Sequence, residues 1–455
     1  MALVSVNPAT GRTLARYPVH SSGEIERRLA LAHKAAANWR ELPASARARH
    51  LHAVATTLHR ERRNLAALVT AEMGKPLADA LAEVSKCVDC CRHYARHGAA
   101  LLRPEKPQGA PRGVSIRSEP LGVILAIMPW NYPLWQAIRA AVPALVSGNV
   151  MLLKHAGNVT GTALALAAAF HRAGLPAGVF DCLLAPGAAI EPLVADPRVR
   201  GVTFTGGTAV GRRIAALAGA ALKPAVLELG GSDPYLVLAD ADLPFAARVC
   251  AAARLVNNGQ SCIAAKRFLV HSRVAGEFAR LFAAELAAFS FGDPLVPGIR
   301  LGPLARLDLR EELHSQVTRS IRRGAQRVLG GRVPAGPGAF YPPTLLTGVA
   351  PGMPAADEEI FGPVAAVETA ADDDALLAAA NRSIYGLGGA IFTRDIRRAR
   401  AEFASKLQAG MVFVNRAVCS HVAVPFGGSK ASGLGRELGR PGVLAFTNPK
   451  TLWFA

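Results

Sequence analysis

Between residues 121 and 205, short apolar runs alternate with helical stretches, and this alternation limits the fold more than any other feature of the chain. Leu121-Gly122-Val123-Ile124-Leu125-Ala126-Ile127-Met128-Pro129 reads as a buried strand ended by a proline. Val150-Met151-Leu152-Leu153-Lys154, Val179 to Leu184 and Val199 to Thr205 read as further strands, with a helix after the first and another from about 158 to 173. Apolar runs of strand length separated by helices favour a parallel sheet covered on both faces, the α/β class. A second α/β region begins after Gly230-Gly231, with strands at Pro234–Leu238, Arg267–Val270 and 387–392. Helices are expected through the 240s and 250s and at roughly 273–288, 308–324, 373–381 and 396–406.

The front of the chain is helical. Ser21-Ser22-Gly23-Glu24 is a capping box, and Ile25, Leu29, Ala32, Ala36 and Trp39 follow at helical spacing. Pro43 opens a second helix running towards Met73, and a third covers roughly 78–97. With 455 residues the chain exceeds one ordinary hydrophobic core, so two or more domains are expected.

Charge and cysteine usage narrow the partners. The net charge of +19 comes from basic residues scattered over the chain. No nucleic-acid motif accompanies them, so they read as solvated faces whose field helps draw in an anionic substrate. Seven cysteines in a long chain do not make a disulfide scaffold. Cys87, Cys90 and Cys91 fit a buried helix face better than a metal site, since no second Cys/His pair matches them. No apolar run reaches the ~18 residues of a membrane span. A cytoplasmic protein with neither nucleic acid, membrane nor metal as partner is expected.

The chemistry centres on Asn257-Asn258-Gly259-Gln260-Ser261-Cys262-Ile263-Ala264-Ala265, a short polar segment carrying one cysteine. Glu228, in Leu227-Glu228-Leu229-Gly230-Gly231, supplies a carboxylate, and a thiol with a base near it suits covalent catalysis. Asn131 either caps the helix that Pro133 opens or donates its amide to a developing oxyanion. Phe204-Thr205-Gly206-Gly207-Thr208-Ala209-Val210-Gly211 follows a strand and opens a helix, a place where backbone amides receive phosphate, although it lacks the GxGxxG spacing.

Six segments in order resemble the aldehyde dehydrogenase superfamily over nearly the whole length: Pro129-Trp130-Asn131-Tyr132-Pro133, Phe204 to Thr208, Glu228 to Gly231, Gly259 to Cys262, Glu359-Ile360-Phe361-Gly362-Pro363 and Pro425-Phe426-Gly427-Gly428-Ser429-Lys430. The resemblance implies a three-part fold: a Rossmann-type cofactor domain (1–106 and 120–230), an α/β catalytic domain (231–428), and a small β oligomerisation arm (107–119 and 440–455) reached through 429–439. It implies Cys262 as nucleophile, Glu228 as general base and Asn131 as oxyanion donor. It places NAD or NADP at Met128, Pro129, Trp130, Lys154, Gly206, Thr208, Gly211, Leu229, Glu359 and Phe361.

Where NAD-specific relatives carry a glutamate three residues after Lys154, this chain has Gly157, which removes repulsion of a 2′-phosphate. His155 either attracts such a phosphate or is an ordinary surface histidine. The likeness is strongest to the bacterial succinate-semialdehyde dehydrogenase branch. Arg139, about two helical turns beyond Asn131, is the expected carboxylate ligand, with Trp135, Ser261, Ser420 and His421 around the aldehyde. Two positions depart from that branch: Val256 stands where an arginine is expected and His421 where a serine is. Broad aldehyde oxidation and a catalytically silent homologue remain alternatives. A homodimer or homotetramer is expected.

Overall fold

The computed structural model describes residues 2–454. Its centre is a six-stranded sheet in the order Gly433–Leu434, Ala225–Glu228, Val199–Thr205, Val123–Met128, Val150–His155, Phe180–Cys182. All neighbours run parallel except the first pair, in which Gly433 lies opposite Glu228. Every side chain of Val123–Met128 is buried, because helices cover both faces. The helix Pro133–Val146 is buried along its whole length and packs against this sheet and against the helix Leu77–Leu101.

A second, seven-stranded sheet runs Gln326–Leu329, Thr344–Thr347, Val364–Ala370, Arg267–His271, Pro234–Val237, Gly388–Phe392, Met411–Val414, parallel throughout except at its first pair. The mixed α/β class inferred from the alternating runs is the one observed. No helix among the described residues is long and apolar enough to cross a membrane.

Several local expectations meet the structure in detail. Ser21 caps the helix Ser22–Glu41 by accepting from the Glu24 N–H. The three cysteines Cys87, Cys90 and Cys91 are buried on the Leu77–Leu101 helix. The helix expected to run from Pro43 to Met73 is two, Ala44–Arg60 and Arg62–Met73, interrupted at Glu61. Both pieces contact the helices Thr160–Arg172 and Leu77–Leu101. An N-terminal hairpin, Ala2–Val6 with Thr13–Pro18, was not legible, because its strands are mostly exposed and carry no clean alternation.

Near the C-terminus, Gly439–Leu444 is a short helix packed on Pro133–Val146. The strand Thr447–Trp453 then pairs antiparallel with Val114–Pro120, Trp453 opposite Val114. This two-stranded ribbon is separate from both large sheets. Residues 429–439 do more than connect, since Gly433–Leu434 closes one edge of the first sheet.

Candidate active site

The helix Leu243–Leu255 ends immediately before the cysteine segment. There Asn257, Asn258 and Gly259 all take left-handed backbone, with φ of 56°, 58° and 72°. Asparagine tolerates this region and glycine is at ease in it. A Cβ on Gly259 would also lie 2.4 Å from the Gly362 backbone. The turn is strapped from several directions. Asn258 Nδ2 donates to the carbonyls of Gly74 and Pro303 at 3.1 and 2.9 Å, and its Oδ1 accepts from Gly302 N at 2.8 Å. Gln260 Oε1 accepts from Ala305 N at 2.9 Å.

Four residues past the cysteine, Lys266 Nζ donates to the carbonyls of Ser261 and Cys262 at 3.0 and 2.8 Å. It also stands 3.5 Å from Glu359 Oε1. The segment is thereby fixed with the Cys262 side chain at the wall of a cavity of about 260 Å³.

That cavity brings together Pro129, Trp130, Asn131, Gly206, Leu229, Cys262, Glu359 and Phe361, all singled out from the sequence. Trp130 and Phe361 meet edge to face at 5.8 Å. Asn131 Nδ2 donates to Gln260 O at 3.1 Å, so the amide faces the Cys262 segment instead of capping its own helix. Asn257 Nδ2 in turn holds the Asn131 carbonyl at 2.8 Å.

The same wall fits a dinucleotide. Gly207 has open space where a Cβ would stand, and the helix Thr208–Ala220 begins there with its amide ends towards the cavity side. A Cβ on Gly206 would strike the Phe204 ring at 2.5 Å, and one on Gly230 would come within 2.5 Å of Glu359 Oε2. Gly211 lets this helix close on Leu229, whose Cδ2 would be 2.3 Å from a Cβ there. Thr208 lines an adjoining cavity that shares Gly207, Leu309, Glu359 and Phe361 with the first. Met128 ends its strand and Lys154 lies one residue before the end of the parallel neighbour, and burial pushes the Lys154 ammonium below its ordinary value.

His155 corrects an expectation. It is buried, its Nε2 lies 2.8 Å from Pro133 O and its Nδ1 accepts from Ala156 N. Burial lowers its pKa to about 4, so it is neutral and offers no charge to a phosphate.

Glu228 ends its strand with both carboxyl oxygens buried and without a hydrogen-bond partner among the described residues. A Cβ on Gly427 would come within 2.5 Å of its Oε1, which puts the Pro425–Lys430 segment directly against the carboxyl. Burial raises its pKa well above the carboxylate range, the like charge of Glu437 adds to the rise, and Arg139 and Arg436 oppose it. Burial likewise pushes the Cys262 thiol up to about 12, opposed by Arg139 and Lys266.

Arg139 is therefore near the chemistry, but it is not the free cation expected from the sequence. It is buried, its Nε is ion-paired with Glu437 Oε2, and its Nη2 is 3.4 Å from Thr205 Oγ1. The guanidinium also lies 4.5 Å from the Phe426 ring centroid. Trp135 is buried with the Lys86 ammonium over its ring, Ser420 Oγ accepts from Lys86, and His421 is exposed. Ser261 is buried and enters through its carbonyl. These four residues and Arg139 stand outside the cavity lining described above.

Two residues of the site escaped the sequence reading. Lys266 immediately precedes an ordinary-looking strand, and only its position four residues after Cys262 hinted at a role. Glu437 lies in a glycine-rich tail with no local signal at all.

Comparison with known proteins gives the family. A family model described as the aldehyde dehydrogenase family matches residues 2–452. The NAD(P)+ succinate semialdehyde dehydrogenase Sad of Escherichia coli (strain K12) is 46% identical over 450 residues, covering 99% of this chain and 97% of that protein. The NADP(+) succinate-semialdehyde dehydrogenase 1 of Mycobacterium tuberculosis (strain H37Rv) is 45% identical over 458 residues, covering 100% of both. A crystal structure of succinic semialdehyde dehydrogenase from Streptococcus pyogenes in complex with NADP+ superposes with a TM-score of 0.96 at 34% identity, covering 100% of both chains. Cys262, Asn131, Gly206 and Glu359 line one cavity, and the chain, matched by the family model over residues 2–452, belongs to the aldehyde dehydrogenase family.

Proposed function

We propose that this chain oxidises succinic semialdehyde to succinate with NAD(P)+. The observation that carries the reaction is the meeting of Cys262, Asn131 and the glycine-lined phosphate wall in one cavity. The full-length likeness to succinate-semialdehyde dehydrogenases supports the substrate.

Cys262 attacks the aldehyde carbon after its thiol proton has left, and the charges of Arg139 and Lys266 favour the thiolate. The second N–H of the Asn131 amide and the Cys262 backbone N–H face the oxygen on which negative charge develops. Bound NAD(P)+ supplies the acceptor for the hydride that leaves the tetrahedral carbon. Cys262 is then a thioester. The Glu228 carboxylate takes a proton from water, the resulting hydroxide adds to the thioester carbon, and collapse expels the Cys262 thiolate with succinate. A neutral Glu228 cannot do this, so its raised pKa makes the deprotonated fraction a determinant of rate.

Lys154 and Thr208 hold the nucleotide, and Glu359 with Phe361 position its nicotinamide end. Position 157 carries no carboxylate, and its Cα faces the Leu3 side chain closely enough that a Cβ would be 3.2 Å from it. Use of both NAD+ and NADP+ follows from the lack of a repelling charge there.

The ribbon of Val114–Pro120 and Thr447–Trp453 serves homodimer or homotetramer assembly. Trp453 and Phe454 are 66% and 67% exposed on it, and a bare apolar strand end is a liability unless paired.

Initial rates with succinic semialdehyde, butanal and benzaldehyde, each with NAD+ and with NADP+, test the reading. A kcat/KM for succinic semialdehyde about tenfold or more above butanal is expected, equivalent to ~1.4 kcal/mol of transition-state discrimination. Equal values across the aldehydes would leave a broad aldehyde dehydrogenase.

A further inference from the structure

Lys266 spends its ammonium group on the backbone around Cys262. It is 1% exposed, and its Nζ donates to the carbonyls of Ser261, Cys262 and Ala264 at 3.0, 2.8 and 3.3 Å. An ammonium has three N–H bonds, so its whole donor capacity goes to one turn of main chain. Glu359 Oε1 stands 3.5 Å away and accepts instead from Gly231 N at 3.0 Å. Burying a cation on neutral partners is costly, and burial lowers the Lys266 pKa. That cost falls on the turn that carries the nucleophile.

Peptide geometry sets the direction of its pull. Ser261 C=O and Cys262 N–H belong to one planar unit, and no peptide bond among the described residues is cis, so the two groups point to opposite sides. A cation held on the Ser261 oxygen therefore leaves the Cys262 N–H facing away from it. Among the described residues that N–H has no acceptor. The Ser261 oxygen also accepts from Ala264 N at 3.1 Å, so both of its lone pairs are engaged and the unit is held in one orientation.

The peptides on either side are fixed as well. Lys266 lies on the Cys262 carbonyl, and a Cβ on Gly231 would come within 2.6 Å of that oxygen. Asn131 Nδ2 and Asn257 Nδ2 both donate to Gln260 O, at 3.1 and 3.0 Å. Asn131 thus meets the main chain one peptide before the free N–H, and Asn131 and Cys262 line the same cavity. A cation on a carbonyl oxygen also draws electron density through the amide, and this makes the N–H of the same unit a stronger donor.

We propose that Lys266 is a positioning residue for the oxyanion: its ammonium fixes and polarises the Ser261–Cys262 peptide, so that the Cys262 N–H is presented to the oxygen of a carbonyl group under attack. The assignment rests on Cys262 being the nucleophile and is independent of which aldehyde is taken.

Two reactions of the same sulfur, run without coenzyme, test it. With 4-nitrophenyl acetate the Cys262 sulfur bonds to the acetyl carbon and the carbonyl electron pair moves onto oxygen. When that pair returns, the C–O bond breaks and nitrophenolate leaves, so Cys262 becomes a thioester. Iodoacetamide alkylates the sulfur by displacing iodide and forms no oxyanion. A scarcer thiolate slows both reactions alike, whereas a weaker oxyanion donor slows only acylation. Both rates are measured at pH 8 in the unaltered protein, Lys266→Met and Lys266→Gln. Lys266→Met is expected to slow acylation about tenfold or more beyond its slowing of alkylation, since loss of a whole oxyanion donor costs about 10²–10³-fold. Lys266→Gln, which keeps a donor without the charge, should fall between. Equal slowing of the two reactions would leave Lys266 acting on the thiol alone and overturn the assignment. So would acylation kept within about threefold, or an alkylation profile that does not move with pH, since the charge would then not be felt at residue 262. Should Lys266→Met fail to fold, equal slowing in Lys266→Gln would overturn the assignment in its place. Nitrophenolate release unchanged in Cys262→Ala would overturn the nucleophile reading itself, and this assignment with it.

Discussion

Arg139 and Glu437 form an ion pair whose side chains are 2% and 5% exposed, and the charges of both act on the buried carboxyl of Glu228. Taking two charges out of water is costly, and their attraction does little more than offset that cost. Breaking such a pair from one side is different, since it leaves a bare charge inside. Arg139→Met is therefore expected to lower unfolding stability by about 3–5 kcal/mol. It should reduce rates with butanal as well as with succinic semialdehyde, because the charge it removes supports Cys262. Urea denaturation read beside both rates checks this. A stable variant that loses only succinic semialdehyde activity would assign Arg139 to the substrate.

Glu228→Gln separates the two halves of the reaction. In the proposed reaction, acylation of Cys262 and hydride release precede the hydrolysis assigned to Glu228. Rapid mixing should give a burst of reduced coenzyme close to one per active site, followed by a steady rate lower by about 10²–10⁴-fold. Absence of the burst would mean that Glu228 acts before the thioester forms.

The same carboxyl makes stability depend on pH. An unfolded glutamate loses its proton near its ordinary value of ~4.3. The folded chain keeps it to a higher pH, since burial and Glu437 raise the Glu228 pKa. Between the two values the folded state binds more protons, so stability falls as pH rises through that window. Glu228→Gln removes this contribution. Its stability relative to the unaltered protein should increase from pH 4 towards pH 8, as thermal unfolding across that range will show; a difference independent of pH would place the carboxyl in a solvated setting.

Lys266→Met probes the support of the nucleophile. The variant loses the donor to the Ser261 and Cys262 carbonyls, at a cost of about 1–3 kcal/mol. It also removes a charge that lowers the Cys262 pKa. The pH profile of Cys262 alkylation by iodoacetamide should move to higher pH, with slower inactivation at pH 8. An unshifted profile would confine Lys266 to a structural role.

Local chemistry carried much of the design. The apolar runs at 123–128, 150–154 and 199–205 specified buried parallel strands, because a strand covered on both faces has no polar side to present. The glycines at 206 and 230 signalled close approach, which is a property of the residue itself. Cys262 stood out because its neighbours are polar and small, unlike those of Cys87 or Cys250.

What the residues could not express was who their partners are. Arg139 read as a free cation on a helix, yet Glu437 from the far end of the chain meets it. His155 read as a surface group, and the Pro133 carbonyl and complete burial make it neutral. Lys86 gave no sign of its place until Trp135 and Ser420 were packed around it. Backbone preference and the pattern of burial are short-range and are written along the sequence. The charge state and availability of a titratable group depend on desolvation and on neighbours brought from elsewhere in the chain, and those exist only once the chain has folded.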